Sequence, residues 1–314
     1  PGVRLYAGEL PHVRYLKISE GCDHGCAFCA IPLMRGKHRS FALGDVVREA
    51  QLLEAQGARE VNLVAQDLAH YGRDVRDGNA LPELLRALLR ETSIPWYRLL
   101  YIYSAGLTPA MIDLIADEPR IVRYLDIPMQ HAADSVLARM RRPERKARQR
   151  DKLRTIRERI PGVAIRTTVI VGFPGETEAE FEETLSAVRA VGFDDAFTFK
   201  FSPREGTPAT RMPAEWTVPD AVASERLERL IDVVRAGARA RNLRLLGQRR
   251  EVLVEKPARR GELLQARSRD YKIVLIAGDD TLVGQYLTVE LTGTTGSTFT
   301  GTVVRERQPL PVAG

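Results

Sequence analysis

Three cysteines, Cys22, Cys26 and Cys29, fall within eight consecutive positions, and no other position of the 314-residue chain holds one. Disulfide frameworks need an even count spread along a chain, so this odd, clustered set points to thiolates used as metal ligands in a reducing compartment, the cytoplasm. A structural zinc site would want a fourth ligand, for which His24 is the candidate. Zinc hooks, however, come in pairs far apart in sequence, and no second hook exists here. A [4Fe-4S] cubane ordinarily takes four thiolates. Three leave one iron without a protein ligand, and such a vacancy can chelate a small cosubstrate.

The elements that must position this loop follow from hydrophobic rhythm. Short runs rich in β-branched and aromatic residues alternate with segments of helical period, the pattern of repeated βα units around a parallel sheet. The strands are expected at Tyr15 to Ser19, Glu60 to Ala65, Tyr97 to Tyr101, Tyr124 to Ile127, Ala164 to Val171 and Asp195 to Phe201. The helices are expected at about Leu43 to Gln56, Leu81 to Arg90, Thr108 to Asp117, Asp134 to Ile160 with a break at Pro143, and Glu178 to Ala190. Gly57 punctuates the first helix, Pro109 opens the third and Thr177 caps the fifth. Six units are too few for an eight-fold barrel, so a partial, open (βα)6 barrel is expected. The cysteine loop then sits at the C-terminal end of the first strand, the end where barrels of this kind carry their active sites.

After Pro219 a long Arg-rich helix is predicted to reach about Leu246, with Gly247 as its stop. Arg250 to Glu255, Leu263 to Arg267, Lys272 to Ile276, Tyr286 to Leu291 and Thr298 to Val304 then read as five short strands, a small closed β-barrel of the oligonucleotide-binding kind. The chain is thus divided into a linker over 1–14, a barrel domain over 15–246 and a small β-barrel over 247–314.

Composition is that of a globular protein, 44% hydrophobic and 28% charged. No run reaches the ~18 apolar residues a membrane span requires, so no membrane association is expected. The net charge of +6 is concentrated between Arg139 and Arg159, where eleven Lys or Arg face three carboxylates. That run reads either as a solvated helix face or as a phosphate-binding stripe. The loop Arg35 to Arg39 is charged, and it reads equally as solvated or as a contact for substrate or another domain. His24 is expected as an exposed spacer, and His12, His70 and His131 as isolated surface or packing residues. There is no P-loop, no H-E-x-x-H and no serine elbow.

The C-x3-C-x2-C spacing resembles the radical S-adenosylmethionine (SAM) superfamily. Leu16 to Cys22, Ala30-Ile31-Pro32, Met34-Arg35-Gly36, Ile170 to Thr177 and Phe201 to Ala209 resemble, more narrowly, its methylthiotransferases. The likeness spans nearly the whole chain. It implies a radical SAM barrel followed by a TRAM domain that docks a macromolecule, a [4Fe-4S] cluster on Cys22, Cys26 and Cys29, and SAM on the open iron. No catalytic side chain beyond the cluster ligands is assigned. Barrel geometry nominates Gln66 and Asp67 after the second strand, Gln130 after the fourth and Arg166 in the fifth as SAM contacts. Gly172 is added for close backbone approach, and Phe28 as an apolar wall on the cluster or the adenine.

Two branches compete within the family. Leu16 to Cys22, Gln66 to Gly72, Tyr124 to His131 and Arg166 to Thr168 resemble the RimO branch, which modifies the β-carbon of an aspartate in ribosomal protein S12. Ala196 to Arg204 and the terminal barrel echo the MiaB branch, which modifies an adenosine beside the tRNA anticodon. Between Gln248 and Arg307 ten basic residues face eight acidic ones, which does not favour a basic protein partner. The family also carries an N-terminal domain with an auxiliary cluster and takes electrons from a donor such as flavodoxin or ferredoxin. That domain is expected to be missing from this sequence, which starts at Pro1. A non-enzymatic, metal-stabilised nucleic-acid-binding protein is the reading from outside the family.

Overall fold

The computed structural model describes residues 10–75, 80–259 and 262–304. The chain forms two compact units, residues 11–238 and the residues from Arg239 on together with Leu10. In the first unit the order is β1 (Val13–Lys17), β2 (Ser19–Glu20), α1 (Ile31–Arg35), β3 (Arg39–Ser40), α2 (Leu43–Ala55), β4 (Glu60–Val64), α3 (Leu81–Glu91) and β5 (Trp96–Leu99). It continues through α4 (Pro109–Asp117), β6 (Ile121–Asp126), α5 (Asp134–Arg139), α6 (Lys146–Arg159), β7 (Ala164–Val171), α7 (Glu178–Val191), β8 (Asp195–Lys200) and α8 (Asp220–Leu243), whose residues from Arg239 on belong to the second unit.

Six strands make one parallel sheet in the order β1-β4-β5-β6-β7-β8. On one face the register aligns Leu16, Leu63, Leu99, Leu125 and Ile165 in a row across five strands, each fully buried. Burying one such side chain contributes roughly 1.5–3 kcal/mol, so the row alone specifies the register against a one-residue slip. The opposite face aligns Asn62 with Arg98, and Asp126 with Arg166 and Asp195, so the sheet has one apolar and one polar side. Helix α3 shows why the intervening segments are helical: Leu81, Leu84, Leu85 and Leu88 are buried at helical spacing. Thr108 caps α4 with Pro109 in its first turn, and Thr177 forms a full capping box with Glu180 on α7.

Where the elements differ from expectation, backbone chemistry explains it. The first strand does not run through to Ser19: Ser19 and Glu20 leave the sheet and pair antiparallel with Ser40 and Arg39. Strand β5, expected to run from Tyr97 to Tyr101, ends at Leu99 because Tyr101 turns into the left-handed region (φ 61°), where its carbonyl accepts from Leu68 N–H. The break expected at Pro143 is present: the segment after Asp134 is two helices, since Pro143 has no N–H to continue the first. Of the expected 1–14 linker, residues 1–9 lie outside the described residues, and Val13 and Arg14 belong to β1.

The second unit is a closed barrel of β9 (Arg249–Pro257), β10 (Leu263–Ser268), β11 (Ile273–Ala277), β12 (Tyr286–Thr294) and β13 (Thr298–Val303), ordered β10-β11-β13-β12-β9. Its core is built from alternate positions of all five strands: Val252, Val254, Leu264, Ala266, Val274, Ile276, Val289, Leu291 and Phe299. Residues 305–314 of the expected 247–314 domain lie outside the described residues. Among the described residues no helix is long and apolar enough to cross a membrane.

Candidate active site

Because the sheet is parallel, the segments that follow each strand gather at one rim. The cysteine segment enters from β2 through Gly21, whose φ of 78° and lack of a side chain are both required: a Cβ there would lie 2.1 Å from the Lys37 carbonyl oxygen. That close approach lets Cys22 N–H donate to Gly36 O at 3.2 Å. Farther along, Cys29 N–H donates to Cys26 O, Ala27 N–H to Met140 O and Ala209 N–H to Ala27 O. His38 N–H donates to Asp23 Oδ1 at 3.1 Å. The loop is therefore pinned to three neighbouring segments, while all three thiols stay outside any disulfide and half-buried.

The thiols feel one another. Burial pushes Cys22 up to about 11, and the neighbouring Cys26 and Cys29 raise it further, against the His24 backbone N–H. Burial also raises Cys29. Three crowded, desolvated sulfurs are a donor set that a bound cation stabilises as thiolates.

Behind the cysteines lies a braced network that corrects the expectation for His24. Its side chain is only 17% exposed, and Nε2 lies 2.7 Å from Asp67 Oδ2. The ring stacks on Tyr103 at 4.3 Å and packs against His70 at 4.1 Å, so it is a strut rather than a solvated spacer. Nor is His70 isolated, for its Nε2 is 3.7 Å from the same carboxylate. Burial pulls the His70 imidazole down to about 4, which leaves it neutral. Asp67 Oδ1 accepts from Ala69 N–H at 2.9 Å and Tyr103 N–H at 3.0 Å. Burial acts to raise Asp67, but the His24 hydrogen bond and the Tyr103 N–H outweigh it and hold the carboxyl below its usual range. Both Asp67 oxygens are thus engaged by protein groups, Oδ1 by two backbone N–H groups and Oδ2 by His24.

The other nominated residues lie at successive strand ends. Gln66 donates from Nε2 to Glu20 Oε1 at 3.3 Å, and its Oε1 is buried without a partner among the described residues. Gln130 adopts φ 67° in the link after β6, donates its N–H to Thr168 O at 2.7 Å, and likewise leaves Oε1 without a partner. Arg166 is lower in β7. It bonds Asp126 Oδ2 at 2.6 Å and lies 4.3 Å over the Phe197 ring. Burial raises the Asp126 carboxyl despite that bond, and its Oδ1 has no partner among the described residues. Gly172 takes φ 72°, and a Cβ there would sit 2.7 Å from the Ala223 Cβ of α8. Phe28 packs partly buried on the apolar group of Ala27, Ala133, Val136, Met140, Phe173 and Ala209.

Sequence reasoning missed Arg142, which it counted within the basic run. The residue is 4% exposed, and Nη1 lies 3.9 Å from Cys26 Sγ. Most of α6 does present a solvated basic face, with Gln149, Leu153 and Ile156 buried. Arg139 is tied to Glu180 at 3.0 Å. His12 and His131 are buried packing residues; burial brings the His131 imidazole down to about 3. His38 of the charged loop is buried too, beside Ser40 and Asp74.

Comparison with known proteins places these features in a family. Residues 16–188 match the radical SAM superfamily and residues 243–304 the TRAM domain. The chain is 45% identical over 289 residues to the ribosomal protein uS12 methylthiotransferase RimO of Desulforudis audaxviator, covering 90% of this chain and 63% of that protein. It is 44% identical to the protein of the same name from Anaeromyxobacter sp. strain K, covering 96% and 66%. With that of Moorella thermoacetica it shares 42%, covering 93% and 68%. The chain thus spans about two thirds of the length of these curated relatives. Among solved structures, coproporphyrinogen III oxidase HemN from Escherichia coli aligns with a TM-score of 0.56 at 14% identity over 83% of this chain and 68% of its own. The radical SAM methyltransferase TsrM from Kitasatospora setae aligns at 0.54 and 20%, over 66% of this chain and 41% of its own. These two share the fold alone. A six-stranded parallel sheet with a cysteine loop at its rim, a closed five-stranded barrel and these identities mark the chain as a member of the radical SAM superfamily and, within it, of the RimO methylthiotransferase family.

Proposed function

We propose that Cys22, Cys26 and Cys29 each ligate one iron of a [4Fe-4S] cluster, and that the fourth iron takes the amino and carboxylate groups of SAM. One observation carries this reading: the only three cysteines of the chain are free, half-buried and crowded on a single pinned loop at the rim of a parallel sheet. The surroundings suit SAM as well. Gln66 Oε1, Gln130 Oε1 and Asp126 Oδ1 are buried acceptors with no partner among the described residues, and a ligand bringing N–H and O–H donors would satisfy them. When bound, cluster and SAM supply a carbon-centred oxidant strong enough to take hydrogen from an unactivated carbon.

The protein's own residues hold and shield. Gln66 and Gln130 orient the ligand's polar groups, and Arg166 keeps Asp126 in place beside them. Phe28, with Phe173 behind it, walls off water. Gly172 admits α8 close to the sheet and so sets the position of the fully buried Phe173. Asp67 and His24 fix the cysteine loop.

For the whole protein we infer methylthiolation of the β-carbon of an aspartate in ribosomal protein uS12, on the support of relatives that carry that name. The terminal barrel docks the ribosomal protein or the ribosome, a flavodoxin or ferredoxin supplies electrons, and the cytoplasm is the compartment. The inserted sulfur comes from an auxiliary cluster, for which this sequence has no further cysteines. The test is anaerobic reconstitution of the intact protein with reductant, SAM and either uS12 or tRNA. The expected result is release of 5'-deoxyadenosine together with a methylthio mass gain on uS12. A gain on tRNA alone would overturn the substrate, and cluster-free protein would overturn the chemistry.

A further inference from the structure

We propose that Arg142 is a positioning residue for the cluster: its guanidinium, held beside Cys26, fixes that sulfur and raises the reduction potential of the metal centre. The proposal rests on the reading that Cys26 is a ligand.

Arg142 lies in the turn between α5 and α6, well separated in sequence from the loop it serves. Nη2 donates to Pro128 O at 2.6 Å, which anchors the head group to the segment after β6. The guanidinium carbon stands 4.0 Å over the Tyr103 ring. Tyr103 in turn stacks on His24, and His24 bonds Asp67. A continuous chain of contacts therefore runs from Cys26 through Arg142, Tyr103 and His24 to Asp67 in the segment after β4.

The charge of this residue is as telling as its place. Arg142 is buried, yet it pairs with no carboxylate among the described residues, and its Nε has no hydrogen-bond partner there. An uncompensated buried cation is costly, so such a group implies an anion close by. The sulfurs are the anions that the geometry offers: Nη1 is 3.9 Å from Cys26 Sγ, and the same charge acts on Cys29, where it opposes the effect of burial. Net charge and hydrogen bonds at the sulfurs are among the factors that set cluster potentials. Reduction adds one negative charge to the centre. A fixed positive charge in a low-dielectric setting stabilises that state more than the oxidised one.

The experiment compares wild type, Arg142→Gln and Arg142→Lys, each reconstituted anaerobically and matched for iron content. The cluster is titrated potentiometrically and followed by electron paramagnetic resonance. At the wild-type midpoint, R142Q should show a reduced-to-oxidised ratio lower by about tenfold, which is ~59 mV for a one-electron couple. R142K should recover most of that change. R142Q that folds by circular dichroism but loses iron, while R142K keeps it, supports the same assignment. Coincident titrations of R142Q and wild type, or equal losses in R142Q and R142K, overturn it. A wild-type chain that assembles no cluster would instead defeat the ligand assignment itself, before Arg142 enters.

Discussion

Replacing Glu176 by Gln should stabilise the sheet unit at neutral and alkaline pH while changing it little in acid. The Glu176 side chain is fully buried in the turn after β7, where Oε2 accepts from Phe173 N–H at 3.0 Å. Burial pushes its carboxyl from 4.5 up to about 7, against the pull of the Phe173 N–H and Arg226. Between those two values the native state binds more protons than the unfolded chain, so this group makes stability fall as pH rises. Below the unfolded value both states are protonated and the group contributes nothing; above the folded value the full penalty applies. At ~1.4 kcal/mol per tenfold, the gap amounts to ~3 kcal/mol. Gln retains an acceptor for Phe173 N–H, and Arg226 keeps Glu178 at 3.1 Å and the residue 176 carbonyl at 2.9 Å. The titration is thus removed at small cost elsewhere. Urea unfolding followed by tryptophan fluorescence reads this unit alone, because Trp96 and Trp216 both lie within residues 11–238. The stability difference between variant and wild type should grow by ~2–3 kcal/mol from about pH 5 to about pH 8. A difference that is the same at both pH values refutes the reasoning.

Further outcomes follow from the same packing. Leu99→Ala, at the centre of the buried aliphatic row, should cost about 2–5 kcal/mol in the same fluorescence assay; a loss under ~1 kcal/mol would mean the row does not hold the register. Thr177→Ala removes the capping box of α7 and should cost ~1 kcal/mol, with no change in iron content. Gln66→Ala should weaken SAM binding to cluster-loaded protein by about tenfold, the worth of one hydrogen bond in calorimetric titration; unchanged affinity would remove Gln66 from the SAM site.

Much of this was readable because it depends on local pattern. The boundaries of β7, Ala164–Val171, match the β-branched run, and Thr177, Pro109 and the five barrel strands obey short-range rules. What escaped depends on partners far away in sequence. His24 meets Asp67, Asp67 meets Tyr103, and Tyr103 meets Arg142, contacts that no periodicity announces. Arg142 was hidden further by its charged neighbours, since a run of basic residues looks alike whether a member faces water or a thiol. The short helix Ile31–Arg35 and the pair Ser19–Glu20 with Arg39–Ser40 are too brief to generate a repeat. Asp126 went unnoticed because its strand reads as apolar, with Ile121, Val122 and Leu125 around it.

If Cys22, Cys26 and Cys29 leave one iron for SAM, the labelled cosubstrate must couple magnetically to the cluster. Electron-nuclear double resonance on the reduced cluster, with SAM isotopically labelled in its amino and carboxylate groups, addresses it directly. Hyperfine coupling from both labels is predicted in the wild type, with cluster absorbance lost in Cys22→Ala, Cys26→Ala and Cys29→Ala. A cluster that forms fully but shows no coupling to either label would contradict the account.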